Sequence, residues 1–340
     1  MSKIPERLQK NKLTDYLASK GIEMIGQGKV RNTFRVDEKS LLVVASDRIS
    51  IFDFVLNAEI PRKGEVLTAL THFWGNTLDA FFTHLRKSDI EPLYNAAYDF
   101  RRLKGIAIPL ERCLIVYDLS NELDGYELIF RAHIGGSVYS VYIKTGIVAG
   151  QAITPDLPEW SKLEKPVFTP STKAESGHDI NVDADVYFEA YGDTGQGFIK
   201  TLQDFYAAAY EYAEKQGILI LDTKFEGSSR LGLIGDEFLT PDSSRFCDAE
   251  DWKQAMATPG VKPKFMDKQF VREWGMKIQT PFGVTGINKL DPENLEHLDF
   301  VHSLEVPADV IKTTTGKYLE IFFRLTNMTL DDYQREMMGV

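Results

Sequence analysis

The spacing of apolar residues changes period several times along the chain, and each change marks an element. Leu8, Leu13, Tyr16 and Leu17 recur at helical spacing and predict a short amphipathic helix over 7–20. Residues 29–36 and 41–45 are apolar and β-branched, so they predict two strands, with Asp37 to Ser40 as the turn of a hairpin. Pro61-Arg62-Lys63-Gly64 reads as a turn. A helix is expected over 65–86, with Leu67, Leu70, Phe73, Trp74, Leu78 and Phe81 on its apolar stripe and His72 as a packed or surface histidine. Residues 106–116 and 126–133 predict two strands around a turn at 121–125. Residues 137–144 keep a mixed polar and apolar pattern, and 146–166, with several Pro and Gly, read as loop. A polar, poorly periodic stretch runs from Pro170 to Asp179. Leu202, Phe205, Ala209, Tyr212 and Ala213 place a helix at 201–216, stopped by Gly217. Two strands joined by a turn are expected in 219–246, a loop at 254–265 and a helix near 267–274. A closing helix over 308–326 follows Pro307 and should turn Leu319, Phe322 and Phe323 toward the body.

The alternation of strand and helix needed for a parallel sheet is poor, so the fold class expected is α+β. Three regions are expected: a β-rich lobe over 1–120, an α+β lobe over 121–300, and a C-terminal helical segment over 301–340 packed on the body. A hydrophobic content of 43% in 340 residues supplies a large core. The two cysteines, Cys113 and Cys247, cannot build a disulfide framework and fit a reducing compartment. The N-terminal residues have no apolar run like that of a signal peptide, and no run approaches a membrane span, so a cytoplasmic location is expected. The balance of 39 basic and 50 acidic residues, a net charge of −11, argues against a nucleic-acid surface but leaves room for a local basic pocket.

Candidate chemistry concentrates in 219–246. Glu226, Asp236 and Glu237 each lie beside a short apolar run, with Lys224 before the first and Arg245 after the last. Carboxylates at two neighbouring strand ends suit a hard cation such as magnesium, and Lys or Arg suits phosphate oxygens. The same residues also fit two solvated strand ends. Gly26-Gln27-Gly28-Lys29 enters a strand, and a glycine loop there lets backbone amides approach an anion while the lysine adds a point charge. It is neither the longer GxxxxGK[ST] loop nor followed by a helix. Ser46 to Asp53, at a strand exit, mixes charges and hydroxyls with apolar residues, and Gly135-Gly136-Ser137 is a second loop able to offer amides.

Seven blocks together resemble the SAICAR synthetase family: Gly28–Arg31, Ser46–Asp53, Gly135–Ser137, Phe168–Glu175, Asp222–Glu226, Asp236–Phe246 and Asp267–Phe270, in the family's order across roughly 25–274. The resemblance implies an α+β fold with an ATP-binding N-terminal lobe similar to that of protein kinases. It also implies a reaction: the carboxylate of carboxyaminoimidazole ribonucleotide is joined to the amine of L-aspartate while ATP becomes ADP and phosphate, through an acyl phosphate. The substrates would be these three small molecules, with no nucleic acid, membrane or obligate protein partner. By the same likeness, Glu226 and Asp236 would hold magnesium, and Gly28, Lys29 and Lys224 would contact ATP. Asp47, Asp53, Arg131, Ser137 and Arg245 would bind the ribonucleotide, and Lys29, Asp53 and Lys224 would serve catalysis. Ser50, Ser171, Lys173, Lys268 and Arg272 would be further aspartate or phosphate contacts.

Two departures from the family pattern stand out. Pro109-Leu110-Glu111 lies one strand earlier than usual, which leaves two alignments, and the one chosen keeps Arg131 six residues before Ser137. Phe225-Glu226-Gly227 replaces a usual Phe-Glu-Phe-Gly, which touches the loop after Glu226 more than its metal role. Another ATP-dependent carboxylate–amine ligase, or a kinase-like scaffold without turnover, would be the competing readings. The first would need a different acid or amine pocket, and the second the loss of Lys29, Glu226 or Asp236.

Overall fold

A computed structural model describes residues 3–9, 12–77, 106–173 and 180–340. Strands β1 (Met24–Gln27), β2 (Arg31–Arg35), β3 (Ser40–Ala45), β4 (Arg48–Ile51), β5 (Phe54–Glu59) and β6 (Cys113–Tyr117) occupy the first third. β1, β2, β3 and β6 form an antiparallel sheet in that order, so the hairpin expected over 29–45 is its centre, its first strand starting at Arg31. Leu17, from the helix Lys12–Ser19, closes a small core with Phe34, Leu42, Val44 and Ile115. The strand expected at 106–116 begins only at Cys113, because Pro109 leads into a 3-10 turn over Leu110–Arg112.

β4 and β5 pair with each other and leave that sheet. Their apolar faces (Ile49, Ile51, Phe54, Leu56) pack instead on Val271, Ile287, Leu298 and Val301. The following helix, Lys63–Thr77, starts two residues earlier than expected, inside the predicted turn. Leu67, Leu70, Phe73 and Trp74 are buried as the stripe required, and His72 is packed; Leu78 and Phe81 lie outside the described residues.

A second sheet carries most of the core. Its strands are β7 (Tyr126–Ile134) and, after the short hairpin β8 (Ile147–Val148) and β9 (Gln151–Ala152), β10 (Ser161–Phe168), β11 (Ser171–Thr172), β12 (Ile218–Ser228), β13 (Leu233–Gly235) and β14 (Ser244–Asp248), with β7 and β12 at the centre and β10 at an edge. β12 lies between β7 and β14, antiparallel to both. The loop expected at 146–166 is thus partly strand. Lys162 to Val167 breaks register around Pro166, which an edge strand tolerates and a central one does not. Residues Tyr139–Thr145 form a helix although Tyr, Val and Ile favour strands; Gly146, at φ 69°, ends it.

The helix expected at 201–216 extends from Ala184 to Lys215, interrupted at Gly192 (φ 55°, ψ −145°). Part of the loop expected at 254–265 is the end of the helix Ala249–Ala257, capped by Asp248, whose carboxylate accepts from the N–H groups of Glu250 and Asp251. The helices Gln269–Gly275 and Ala308–Thr326 appear as expected, and Leu295–Ser303 adds another. On Ala308–Thr326, Tyr318, Ile321, Phe322 and Leu325 face the core, whereas Phe323 is 49% exposed. One position past Phe322 is about 100° round a helix, which carries Phe323 off the stripe. No described helix is long and apolar enough to cross a membrane.

Two buried histidines make folding pH-dependent. His133 sits with Nδ1 3.0 Å from the Trp160 carbonyl oxygen and Nε2 2.9 Å from the Tyr210 hydroxyl; His72 Nδ1 is 2.9 Å from the Tyr333 hydroxyl. Burial pushes both down to about 4, so the unfolded chain takes up protons first and stability is lost as pH falls from 6.5 toward 4. Asp267, raised by burial to about 6, opposes this, because the folded state takes its proton first. With two histidines against one carboxyl, urea midpoints should be lower at pH 5 than at pH 7. His133→Gln should flatten that dependence, and an unchanged slope in the variant would assign it elsewhere.

Candidate active site

β12 alternates its side chains so that Thr223 and Phe225 enter the core while Asp222, Lys224 and Glu226 share the opposite face. That face opens on a cleft of about 1510 Å³, which the first sheet borders through Gly28, Lys29 and Arg31 and the helix Gln269–Gly275 through Arg272. Of the residues singled out from the sequence, Gly28, Lys29, Ser50, Asp53, Arg131, Ser137, Ser171, Lys173, Lys224, Glu226, Asp236, Arg245, Lys268 and Arg272 all line it.

One end is basic. Arg131 on β7 and Arg245 on β14 both lie opposite Asp222 in register. Arg131 Nη1 donates to Asp222 Oδ2 at 2.6 Å, and its Nε donates to Thr169 Oγ1 at 3.0 Å; Arg245 Nη1 donates to the same Asp222 oxygen. The Arg245 guanidinium also lies over the Trp160 ring, 5.5 Å from its centroid, and close against Gly136, where a Cβ would meet Nη1 at 3.1 Å. Gly136 has φ 66°, so glycine is required twice over. Arg272 adds a guanidinium whose buried Nε has no protein hydrogen-bond partner among the described residues. Burial pushes Lys268 down to about 8, with Asp242 opposing and Arg272 adding. Two guanidinium groups share one carboxylate, so this end is left with excess positive charge.

The other end is acidic and counterbalanced. Glu226 pairs across the strand with Gly235, which puts Asp236 beside it. Lys173 Nζ is 2.6 Å and Lys224 Nζ 3.9 Å from the Glu226 carboxylate, and Lys224 also pairs with Glu127. Glu127 and Glu226 hold Lys224 above its usual range against burial, which lowers it. Arg31 reaches from β2 to both Asp236 and Glu237. These two neighbours diverge: Arg31 and then Lys224 hold Asp236 low despite burial, while burial raises Glu237, with Arg31 opposing. The Asp236 side chain is 40% exposed and that of Glu237 only 9%. Of the two, Asp236 is the more accessible carboxylate. Among the described residues no three His, Cys, Asp or Glu side chains converge as a complete metal cage. Two carboxylates fit magnesium when phosphates and water complete its shell.

At the mouth, Lys29 Nζ lies 2.6 Å from Asp53 Oδ1. Asp53 occupies the two-residue turn between β4 and β5 with Phe52, both at positive φ (67° and 50°), as a type I′ turn demands. Aspartate tolerates that conformation, whereas a bulky phenylalanine pays for it. Asp47, expected to face a substrate from the same segment, is not among the residues that line the cleft. Its carboxylate takes Arg112 at 2.7 and 2.9 Å and the Gly64 N–H at 2.9 Å, so it ties the start of the helix Lys63–Thr77 to Arg112. Asp47 therefore has an internal role in this structure, one residue removed from the cleft wall through Arg112.

Sequence reasoning missed Arg31, Arg48, Lys63 and Asp242. Lys63, read as part of a turn, is fully buried and forms an ion pair with Asp242 at 2.7 Å; Tyr318 donates to the other oxygen at 2.6 Å. A signal was present in Arg48, a charge at the head of the Arg48–Ile51 strand with its two isoleucines, and in Lys63, directly before a long apolar stripe.

Comparison with known proteins agrees over nearly the whole chain. A family model described as SAICAR synthetase matches residues 24–284. A phosphoribosylaminoimidazole-succinocarboxamide synthase from Pasteurella multocida is 36% identical over 323 residues, covering 90% of this chain and 98% of that protein. One from Saccharopolyspora erythraea is 38% identical over 319 residues, covering 91% and 95%. The solved SAICAR-synthase from Saccharomyces cerevisiae, complexed with SAICAR, superimposes with a TM-score of 0.72 at 30% identity, covering 95% of this chain and 99% of that one.

Asp222→Asn should leave the buried Arg131 guanidinium and the partly buried Arg245 without their shared counter-charge and lower stability by about 3–5 kcal/mol in urea unfolding. The double variant Asp222→Leu/Arg131→Met should recover much of that loss. A cost below about 1 kcal/mol for Asp222→Asn would mean that the pair does not hold the strands.

Proposed function

The chain belongs to the SAICAR synthetase family, and we propose that the single cleft lined by its sequence blocks is where its three substrates meet. The family's reaction is the ligation of L-aspartate to the carboxylate of carboxyaminoimidazole ribonucleotide, with ATP converted to ADP and phosphate, in purine biosynthesis. The observation that carries the site assignment is that side chains from all seven blocks, scattered over 28–269, line that one cleft.

A carboxylate is a poor electrophile because oxide would have to leave. The γ-phosphoryl group of ATP is transferred to a carboxylate oxygen, which gives an acyl phosphate and ADP. The aspartate amine then adds to the acyl carbon, phosphate departs with the C–O bond, and the amine gives up a proton. In the proposed assignment the acidic end holds ATP. Glu226 and Asp236 would bind magnesium together with the phosphates, and the chemistry it supplies is neutralisation of charge on the transferring group. Lys29 and Lys224 contribute fixed positive charge along the phosphate path, and Gly28 lets the backbone come close. The basic end takes the ribonucleotide: Arg245, Arg272 and Lys268 for its phosphate, Ser137, whose hydroxyl has no hydrogen-bond partner among the described residues, and Arg131, which also holds Asp222. Asp53, held by Lys29, orients the imidazole amine. Lys173 is assigned to the aspartate carboxylates, with Ser50 and Ser171, which line the same cleft, as further contacts. The β-rich region to about residue 120 is proposed as the nucleotide-binding lobe, 121–300 as the catalytic lobe and 301–340 as its helical support. The cytoplasm is the proposed location.

ADP release should require ATP, magnesium, carboxyaminoimidazole ribonucleotide and L-aspartate together, with matching product. Glu226→Gln and Asp236→Asn should each lower kcat about 100-fold or more while the fold is retained. ADP release that persists without L-aspartate, or variants at parental rate, would overturn the assignment. Lys268 binds an anion only when protonated, so kcat/KM for the ribonucleotide should fall as pH rises through about 8. Lys268→Arg should move that limb to higher pH, and an unmoved limb would exclude Lys268 as its source.

A further inference from the structure

The loop from Gly28 to Arg31 has all its carbonyl oxygens engaged from within the protein. Arg48 Nη2 donates to the Gly28 oxygen at 3.0 Å and Arg48 Nε to the Lys29 oxygen at 3.0 Å. The Val30 oxygen accepts from the Ser46 N–H at 2.9 Å and from the Ser46 hydroxyl at 2.7 Å. The Arg31 oxygen accepts from the Gly28 N–H at 2.7 Å. By contrast, the N–H groups of Lys29 and Val30 have no hydrogen-bond partner among the described residues. A loop whose carbonyls are all turned inward and whose central amides are unengaged presents donors only, which is the polarity an anion needs.

Arg48 is the unusual member of this arrangement. It is 3% exposed, does not line the cleft, and has no carboxylate within ion-pair distance among the described residues. Its remaining contact is Asn32 Oδ1 at 3.0 Å, and Asn32 is itself 1% exposed. A buried guanidinium without a counter-ion is costly unless its N–H groups are well used. Here they are used on two consecutive backbone carbonyls, which a lysine, with one compact ammonium, cannot span in the same fixed fork. Its position also links the two sides of the mouth. Arg48 opens β4, and β4 leads directly to the turn that holds Asp53 against Lys29.

We infer that Arg48 is a positioning residue for the phosphates of ATP: it clamps the carbonyls of Gly28 and Lys29 from behind, so that the Lys29 and Val30 amides and the Lys29 ammonium converge on the phosphate chain. Ser46 performs the same service for Val30. The inference rests on the reading of this loop as the phosphate loop. It adds that the SDRIS segment shapes the nucleotide site from outside the cleft, through backbone carbonyls, as well as lining the mouth with Ser50 and Asp53.

The test compares Arg48→Met, Arg48→Lys and Lys29→Met by steady-state kinetics, with each substrate varied in turn, and by thermal unfolding. Arg48→Met should raise KM for ATP about tenfold or more, with KM for the ribonucleotide and for L-aspartate within about twofold of the parent. Arg48→Lys should fall between, since an ammonium can hold one carbonyl but not both. Should Arg48→Met fail to fold, the lysine variant carries the comparison. A folded Arg48 variant with unchanged KM for ATP, alongside a raised value in Lys29→Met, overturns the inference and leaves the phosphate-loop reading standing. Three KM values rising together with a lowered Tm also overturn it, since that is a structural role alone. An unchanged KM for ATP in Lys29→Met overturns the phosphate-loop reading itself, and the inference with it.

Discussion

Asp222 places one negative charge between two guanidinium groups, and the middle of the second sheet is organised by that contact. Arg131 and Arg245 approach it from the flanking strands at the same register. A slip of either strand would bury an unpaired charge, a far larger penalty than a misplaced apolar side chain. The irregularity between Ile220 and Asp222, where β12 and β14 change register, is what lets Arg245 arrive opposite Asp222. With register fixed, β12 acts as a ruler. Glu226 lies four residues from Asp222 on the same face, so the acidic and basic ends of the cleft are separated by about 13 Å of extended chain.

Asp242 ties the periphery to this frame. It takes Lys63 from the start of one helix and Tyr318 from the middle of another, and it lies three residues before Arg245. Ser243, next to it, accepts the Lys224 N–H through its carbonyl at 2.9 Å. The helix Lys63–Thr77 is held again at its first turn by Asp47 through the Gly64 N–H. Residues far apart in sequence thereby fix the same short stretch of the cleft wall.

Much of this was legible from the chain alone. The hairpin of β2 and β3, the strand β7 and the helices with a clear 3.6-residue stripe follow from periodicity, because each buries one face only. The motif blocks identified the family, and the residues drawn from them line a common cleft, Asp47 excepted. What stayed hidden depended on partners distant in sequence. Lys63 reads as a turn residue because nothing near it reveals Asp242, 179 positions later. Asp47 reads as a site residue because Arg112, its partner, lies beyond the next helix. Residues 139–145 read poorly because tertiary packing of Tyr142 overrides the strand preference of Tyr, Val and Ile. β10 was obscured by Pro166, which is harmless at the edge of a sheet.

Every carboxylate assigned to magnesium is already paired with a cation of the chain: Glu226 with Lys173 and Lys224, Asp236 with Arg31. Under the proposed assignment, loading the cleft is an ion exchange. A metal held there would take the place of these ammonium and guanidinium groups at the carboxylates, which would free Lys224 and Arg31 for phosphate oxygens and Lys173 for the aspartate carboxylates. Such an exchange closes only when metal and polyphosphate enter as a matched pair. A bare cation would strand the displaced lysines, and a bare polyphosphate would strand the carboxylates. On that assignment the cleft would select for the stoichiometry of charge as well as for the shape of what it binds.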